Sequence, residues 1–139
     1  RLFQIEMTLN YIGTLDYVGR AVASGNRGFL QLKFLELKKW IGTDIIIITD
    51  SRGRVIQRVN NGRVSGDSVI DIKCIKKVIE TSRPASGSGI LSREILLREG
   101  ASVADKAIVD IIPTEMGRAI TKRREERALV LNAASPVFF

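Results

Sequence analysis

Histidine is absent from the 139 residues, and there is one cysteine, Cys74. Without histidine, most catalytic base and metal-ligand patterns are excluded, and one thiol allows no internal disulfide. Cys74 stands among Ile72, Ile75 and Val78, the setting of a small core residue rather than a reactive thiol. Aromatic residues are scarce, at 6%, against 45% hydrophobic residues in total, so any core is aliphatic. Proline occurs three times, and tandem repeats and low-complexity tracts are missing. No run approaches the roughly 18 uninterrupted apolar residues of a membrane span. The chain opens at Arg1 inside a helical pattern, with no signal-peptide layout, as expected of a segment of a longer protein. Its length suits one domain with a single core.

The balance of charge is basic, with a net charge of +7 and a pI near 10.0. The basic residues are dispersed, with Lys33, Lys38 and Lys39 on one expected helix and Lys73, Lys76 and Lys77 on another. The densest run, at 122–127, interleaves Glu125 and Glu126, and no aromatic residue is set among the bases to stack on a nucleobase. Such a surface fits solvent first, anionic lipid headgroups second and nucleic acid last.

Apolar residues at 2, 5, 9, 12, 15, 18 and 22 form one stripe, predicting a single long helix over 1–25 that stops at Ser24-Gly25-Asn26. Residues 29–41 form a second helix with Phe29, Leu32, Leu35 or Leu37, Trp40 and Ile41 inward, ended by Gly42. The four isoleucines at 45–48 read as a strand buried on both faces. A turn at Asp50-Ser51-Arg52-Gly53 joins it to a second strand at 54–58 with one wet face. Residues 69–79 form a short helix capped by Asp67 or Ser68. Residues 81–89 read as a turn-rich break, and Ser92 as the cap of another short helix. Residues 102–112 form a strand stopped by Pro113, 114–127 a loop or lid, and 128–139 a closing strand. The class is α+β, with helices on one face of a central antiparallel sheet.

The order of these features is narrower than the class. Asp50-x-x-Gly53-x-Val55-x-x-Arg58, then Gly66-Asp67-Ser68, then Val130-Leu131-Asn132-Ala133-Ala134-Ser135-Pro136-Val137 resembles the Cache domain. This is the PAS-like extracytoplasmic sensor module of bacterial histidine kinases and chemoreceptors. The resemblance runs from about Phe29 to Phe139 and makes the chain one domain, with the long helix at 1–25 and a PAS-like core at 26–139 whose last strand is missing. It implies a periplasmic location in an inner-membrane protein, held by flanking membrane spans. It also implies a small-molecule ligand and a weak, roughly parallel homodimer along the first helix, with no enzyme activity, cofactor, metal or nucleic acid.

In the citrate- and dicarboxylate-sensing kinases that share the hairpin, a basic residue stands where Arg58 stands, and a second stands at the position of Asn132. An arginine fork suits a carboxylate, whereas Asn132 supplies no charge, so a monocarboxylate or neutral polar ligand fits better than a tricarboxylate. Arg58 and Asn132 are expected to face one cavity roofed by residues 60–68 or the third helix, with Asn60, Arg93 and Trp40 as further ligand-binding candidates. The amino-acid-binding cluster of double Cache domains has no counterpart in this chain. The rival readings are a cytosolic PAS, GAF or roadblock-like regulatory domain, an enzyme, and a nucleic-acid binder. The enzyme reading lacks paired carboxylates or a nucleophile with a base.

Overall fold

A computed structural model describes residues 1–119 and 121–138. The chain is mixed α+β, with six helices and only small antiparallel sheets. The expected first helix is two: α1 (Leu2–Gly13) and α2 (Asp16–Ala23). Leu15, extended at φ −80° and ψ 117°, separates them, and its carbonyl accepts the Val18 N–H of the next helix. The C-terminal segment lies against the end of α1, just before the break. A Cβ on Gly13 would overlap the Pro136 carbonyl oxygen, and the Phe138 N–H donates to the Gly13 carbonyl at 3.1 Å. Glycine is thus where the C-terminal segment docks on α1. Gly13→Ala is expected to cost about 1–3 kcal/mol, the usual penalty for overpacking against backbone. Urea unfolding would check it, and a change under about 0.5 kcal/mol, the scale of an ordinary surface substitution, would refute this docking.

The third helix, α3 (Arg27–Ile41), starts on the Asn26 side chain, which accepts the Phe29 N–H at 3.2 Å. It ends at Gly42, left-handed at φ 68°, as the sequence suggests. Its inward face is only partly the expected one, since Phe29 and Leu37 pack against the core as read from the sequence. Leu30 and Phe34 are buried, whereas Leu32, Leu35 and Trp40 are exposed. Leu30 and Phe34 lie one turn apart and meet Val18 and Ala21 of α2, with Ile46, Ile48 and Val59 beyond them.

Strand β1 (Ile47–Thr49) pairs antiparallel with β2 (Val55–Arg58), a hairpin at the expected place. The isoleucine run is not buried on both faces, because Ile46 and Ile48 are buried while Ile45 and Ile47 are half-buried. Nor is β1 central, since this sheet has two strands. The second strand also departs from expectation, since its polar residues Gln57 and Arg58 point inward and are buried.

Helix α4 spans Lys73–Thr81 and begins after Ile72, not at Asp67 or Ser68. The expected break at 81–89 largely becomes strand β3 (Ala85–Leu91), paired antiparallel along its whole length with β6 (Ala128–Ala134). Helices α1 and α4 both pack on the two strands. Ser92 caps α5 (Arg93–Glu99) as expected, accepting the Ile95 N–H at 3.4 Å. The expected strand at 102–112 is instead α6 (Ala101–Lys106) followed by β4 (Val109–Asp110), whose partner β5 (Arg124–Glu125) interrupts the expected loop. Apolar spacing at Val103, Ala104 and Ala107 is helical, and Ala104 is buried against Leu91 and Leu96. Phe139, at the end of the expected closing strand, lies outside the described residues, and no helix among those described is long and apolar enough to cross a membrane.

Candidate functional site

The hairpin turn is built by Asp50. Its carboxylate accepts the N–H groups of Arg54 at 2.9 Å and Arg52 at 2.8 Å, and these bonds hold the carboxyl below its ordinary pKa. Gly53 completes the turn at φ 75°, where a side chain is strained and a Cβ would press on Ile70 at 3.1 Å. The chain then folds back along β2. The Val55 N–H donates to the Asp67 carbonyl at 2.9 Å, the Gly66 N–H donates to the Val55 carbonyl at 2.8 Å, and Arg54 bridges Ser68. The Gly66-Asp67-Ser68 loop is therefore held beside β2, which brings Asp67 to Arg58.

Arg58 is fully buried, and its guanidinium is filled from within the chain. Nη1 donates to Asp67 Oδ1 at 2.6 Å and Nη2 to Asp67 Oδ2 at 2.8 Å, a bidentate pair. Nε donates to Glu99 Oε1 at 2.5 Å, and Nη1 also reaches the Val64 carbonyl at 3.1 Å. Arg98 extends the network, donating to Asp67 Oδ2 at 3.1 Å and to Glu94 Oε1 at 2.6 Å. The Asn61 amide secures the Arg98 carbonyl at 3.1 Å. One arginine thus ties β2, the loop after it and α5 into a single joint.

The two carboxylates on Arg58 sit in opposite electrostatic situations. Bonds from Arg58, and next from Arg98, outweigh burial and hold the Asp67 carboxyl down at about 2. Burial dominates at Glu99 and pushes its pKa up, although the Arg58 bond opposes it. The reason is visible in the bonding: Glu99 is completely buried, and its Oε2 has no hydrogen-bond partner among the described residues. A buried ionised oxygen without a donor is costly. The Arg58–Glu99 contact is therefore the weak half of the joint.

The other expected site residues lie apart from this network. Asn60 donates to the Asp44 carbonyl at 2.7 Å, a loop-fixing role. Arg93 opens α5 and contacts Asp105 at 3.4 Å and Glu126 at 3.9 Å. Asn132 is half-buried on β6, opposite Gly87. Trp40, expected in the core, is exposed and borders two grooves. One, of about 290 Å³, runs past Ile12, Tyr17, Phe34 and Leu37. The other, of about 570 Å³, is lined by Arg1, Gln4, Ile5, Thr8, Trp40 and Ile41. Neither Arg58 nor Asn132 lines them, and no hydrogen bond joins any two of the five candidates among the described residues.

Sequence reasoning missed Glu99 and Arg98, and read Asp67 as a helix cap, an anion cradle and a motif position rather than as the partner of Arg58. The one available signal is positional. Glu99 stands three residues after Leu96 on the same helical face, a charged residue on an apolar phase. No protein-family model, no curated protein and no solved structure matches the chain.

Proposed function

We propose that this chain is the extracytoplasmic ligand-sensing domain of a transmembrane receptor, a histidine kinase or chemoreceptor, on a Cache-like, PAS-like plan. It binds a small carboxylate in the periplasm of the inner membrane and performs no chemistry on it. The observation that carries the reading is the filled fork of Arg58. Asp67 takes two of its donors symmetrically, whereas Glu99 takes the third through one oxygen and leaves the other without a donor among the described residues. In the ligand-free state Glu99 stands in for the carboxylate of the ligand.

A ligand carboxylate that replaced Glu99 on Nε would let that side chain leave its dry site, and α5 would be released from β2. Such an exchange is a two-position switch, and the ligand shifts it by its preference for one position. Two elements of the sequence resemblance support the reading, because the Arg58 and Gly66-Asp67-Ser68 positions meet in one ion pair.

Thermal unfolding against a panel of mono-, di- and tricarboxylates tests it. One of them is expected to raise Tm saturably by several degrees, since a ligand at 100 times its Kd adds about 2.7 kcal/mol. Glu99→Gln removes the competing charge and is expected to tighten that binding, and Arg58→Lys to abolish it. If no carboxylate moves Tm in either the native chain or the Glu99→Gln variant, the sensing proposal fails.

A further inference from the structure

Helix α1 has the composition of a buried helix and the exposure of a surface one. Its twelve residues, LFQIEMTLNYIG, carry one charge, Glu6, yet Gly13 is the only one of them that is buried. Gln4, Glu6, Thr8 and Asn10 are its polar residues, and one apolar stripe, Leu2, Ile5, Leu9 and Ile12, is half-buried. Phe3, Met7 and Tyr11 are 73%, 56% and 66% exposed. Their four-residue spacing puts them in one stripe. Trp40, 77% exposed, stands on the wall of the groove that the neighbouring α1 face, Arg1, Gln4, Ile5 and Thr8, forms with the end of α3.

The charge around this face is one-sided. Lys33 is paired with Glu36, and Arg20 with Asp16, but Lys38 and Lys39 make no ion pair among the described residues. Arg1 donates to the Gly42 carbonyl at 2.8 Å, which holds its charge at the α1–α3 seam. An apolar stripe, tyrosine and tryptophan at its border, and lysines beyond them match the layers of a bilayer surface.

We propose that the α1–α3 face docks onto an anionic lipid bilayer. Phe3 and Met7 enter the acyl boundary, Tyr11 and Trp40 sit at headgroup level, and Lys38 and Lys39 face the lipid phosphates. In this docking the twelve residues Leu2–Gly13 lie along the bilayer surface. A second copy of the chain fits the face less well. Four partly exposed side chains on each of two copies reach about 1,200 Å² together, the lower limit of a stable interface. A symmetric contact would also bring the unpaired lysines of both copies near one another. This inference stands on the α1–α3 geometry and is independent of what Arg58 binds.

Trp40 is the only tryptophan of the chain, so its emission reports this face alone. The chain is mixed with vesicles of phosphatidylcholine, or of phosphatidylcholine with phosphatidylglycerol, at low and high salt. Co-sedimentation and a blue shift of Trp40 emission are expected with the anionic vesicles only, fading as salt rises. Lys38→Ala and Lys39→Ala are each expected to lower affinity about fivefold. Phe3→Ser with Met7→Ser should remove the shift while leaving the circular dichroism of the free chain unchanged. Unchanged Trp40 emission and no co-sedimentation with anionic vesicles would overturn the proposal. So would a Trp40 shift that follows protein concentration without lipid, the mark of a homodimer along α1.

Discussion

Arg58→Ala is expected to remove about 3–5 kcal/mol of stability, a large part of the 5–15 kcal/mol that holds an ordinary domain together. The size follows from what is left behind. Glu99 would be a buried carboxylate with no donor on either oxygen, and Asp67 would lose both of its bidentate bonds. The Glu99 share of the loss should not appear when the pair is replaced together, whereas Asp67 still loses its bidentate partner. Arg58→Met with Glu99→Leu removes both charges from the dry site, and such exchanges are often neutral or stabilising. Urea denaturation of the single and double variants measures this difference. A cost below about 1 kcal/mol for Arg58→Ala would place the ion pair among surface bridges that contribute little.

Acid titration separates the two carboxylates of the same joint. The folded-state pKa of Asp67 lies near 2, below its ordinary 3.8. Its contribution is therefore complete above the ordinary value and is lost as pH falls through the folded one. Glu99 is displaced the other way, so the folded chain binds that proton more tightly than the unfolded chain does. Its ionisation costs stability, and the cost is relieved as pH falls toward the ordinary carboxylate range. A shallow rise on mild acidification, then a fall in stronger acid, is the expected profile. Glu99→Gln should erase the rise, and Asp67→Asn the fall.

A second large effect separates two leucines on one helix. Leu30→Ala is expected to cost about 2–5 kcal/mol, the range for emptying a closed core site. Leu32→Ala should stay within about 0.5 kcal/mol. Leu30 is 0% exposed and packs in the cluster that joins α2, α3 and β1, whereas Leu32 is 67% exposed. The pair is also a check on the phase of α3, because the apolar pattern of its sequence favours the opposite assignment. Equal losses at both positions would show that α3 is rotated from the arrangement described.

That rotation shows where the sequence misleads. Residues 29–41 contain Phe29, Leu30, Leu32, Phe34, Leu35, Leu37, Trp40 and Ile41, so several helical stripes compete and none is forced. The hairpin was legible because Asp50 and Gly53 act locally: one carboxylate caps two N–H groups and one residue takes positive φ. The helix capped by Ser92 was legible for the same reason. Strand β3 was not, since Ser86, Gly87, Ser88 and Gly89 lack strand propensity and are ordered by pairing with residues more than forty positions away. The close approach at Gly13 likewise involves Pro136, remote in sequence. Of the site, Arg58 stood out by its place after the hairpin. Its partner Glu99 is found only when α5 folds against β2, and a charge that far along the chain has no local signature.

Cys74 sits on the inward side of α4, in a small cluster with Val78 and Ala85, and burial raises the pKa of its thiol. It is the only sulfhydryl in the chain. Alkylating reagents attack the thiolate, so they reach it only in molecules where α4 has lifted from the paired β3 and β6 strands. The reaction rate is then set by how often that lifting occurs, and it counts excursions of one subdomain while α3 and the hairpin stay closed. Alkylation followed by mass thus reads how often the cover over Cys74 opens, without any added label.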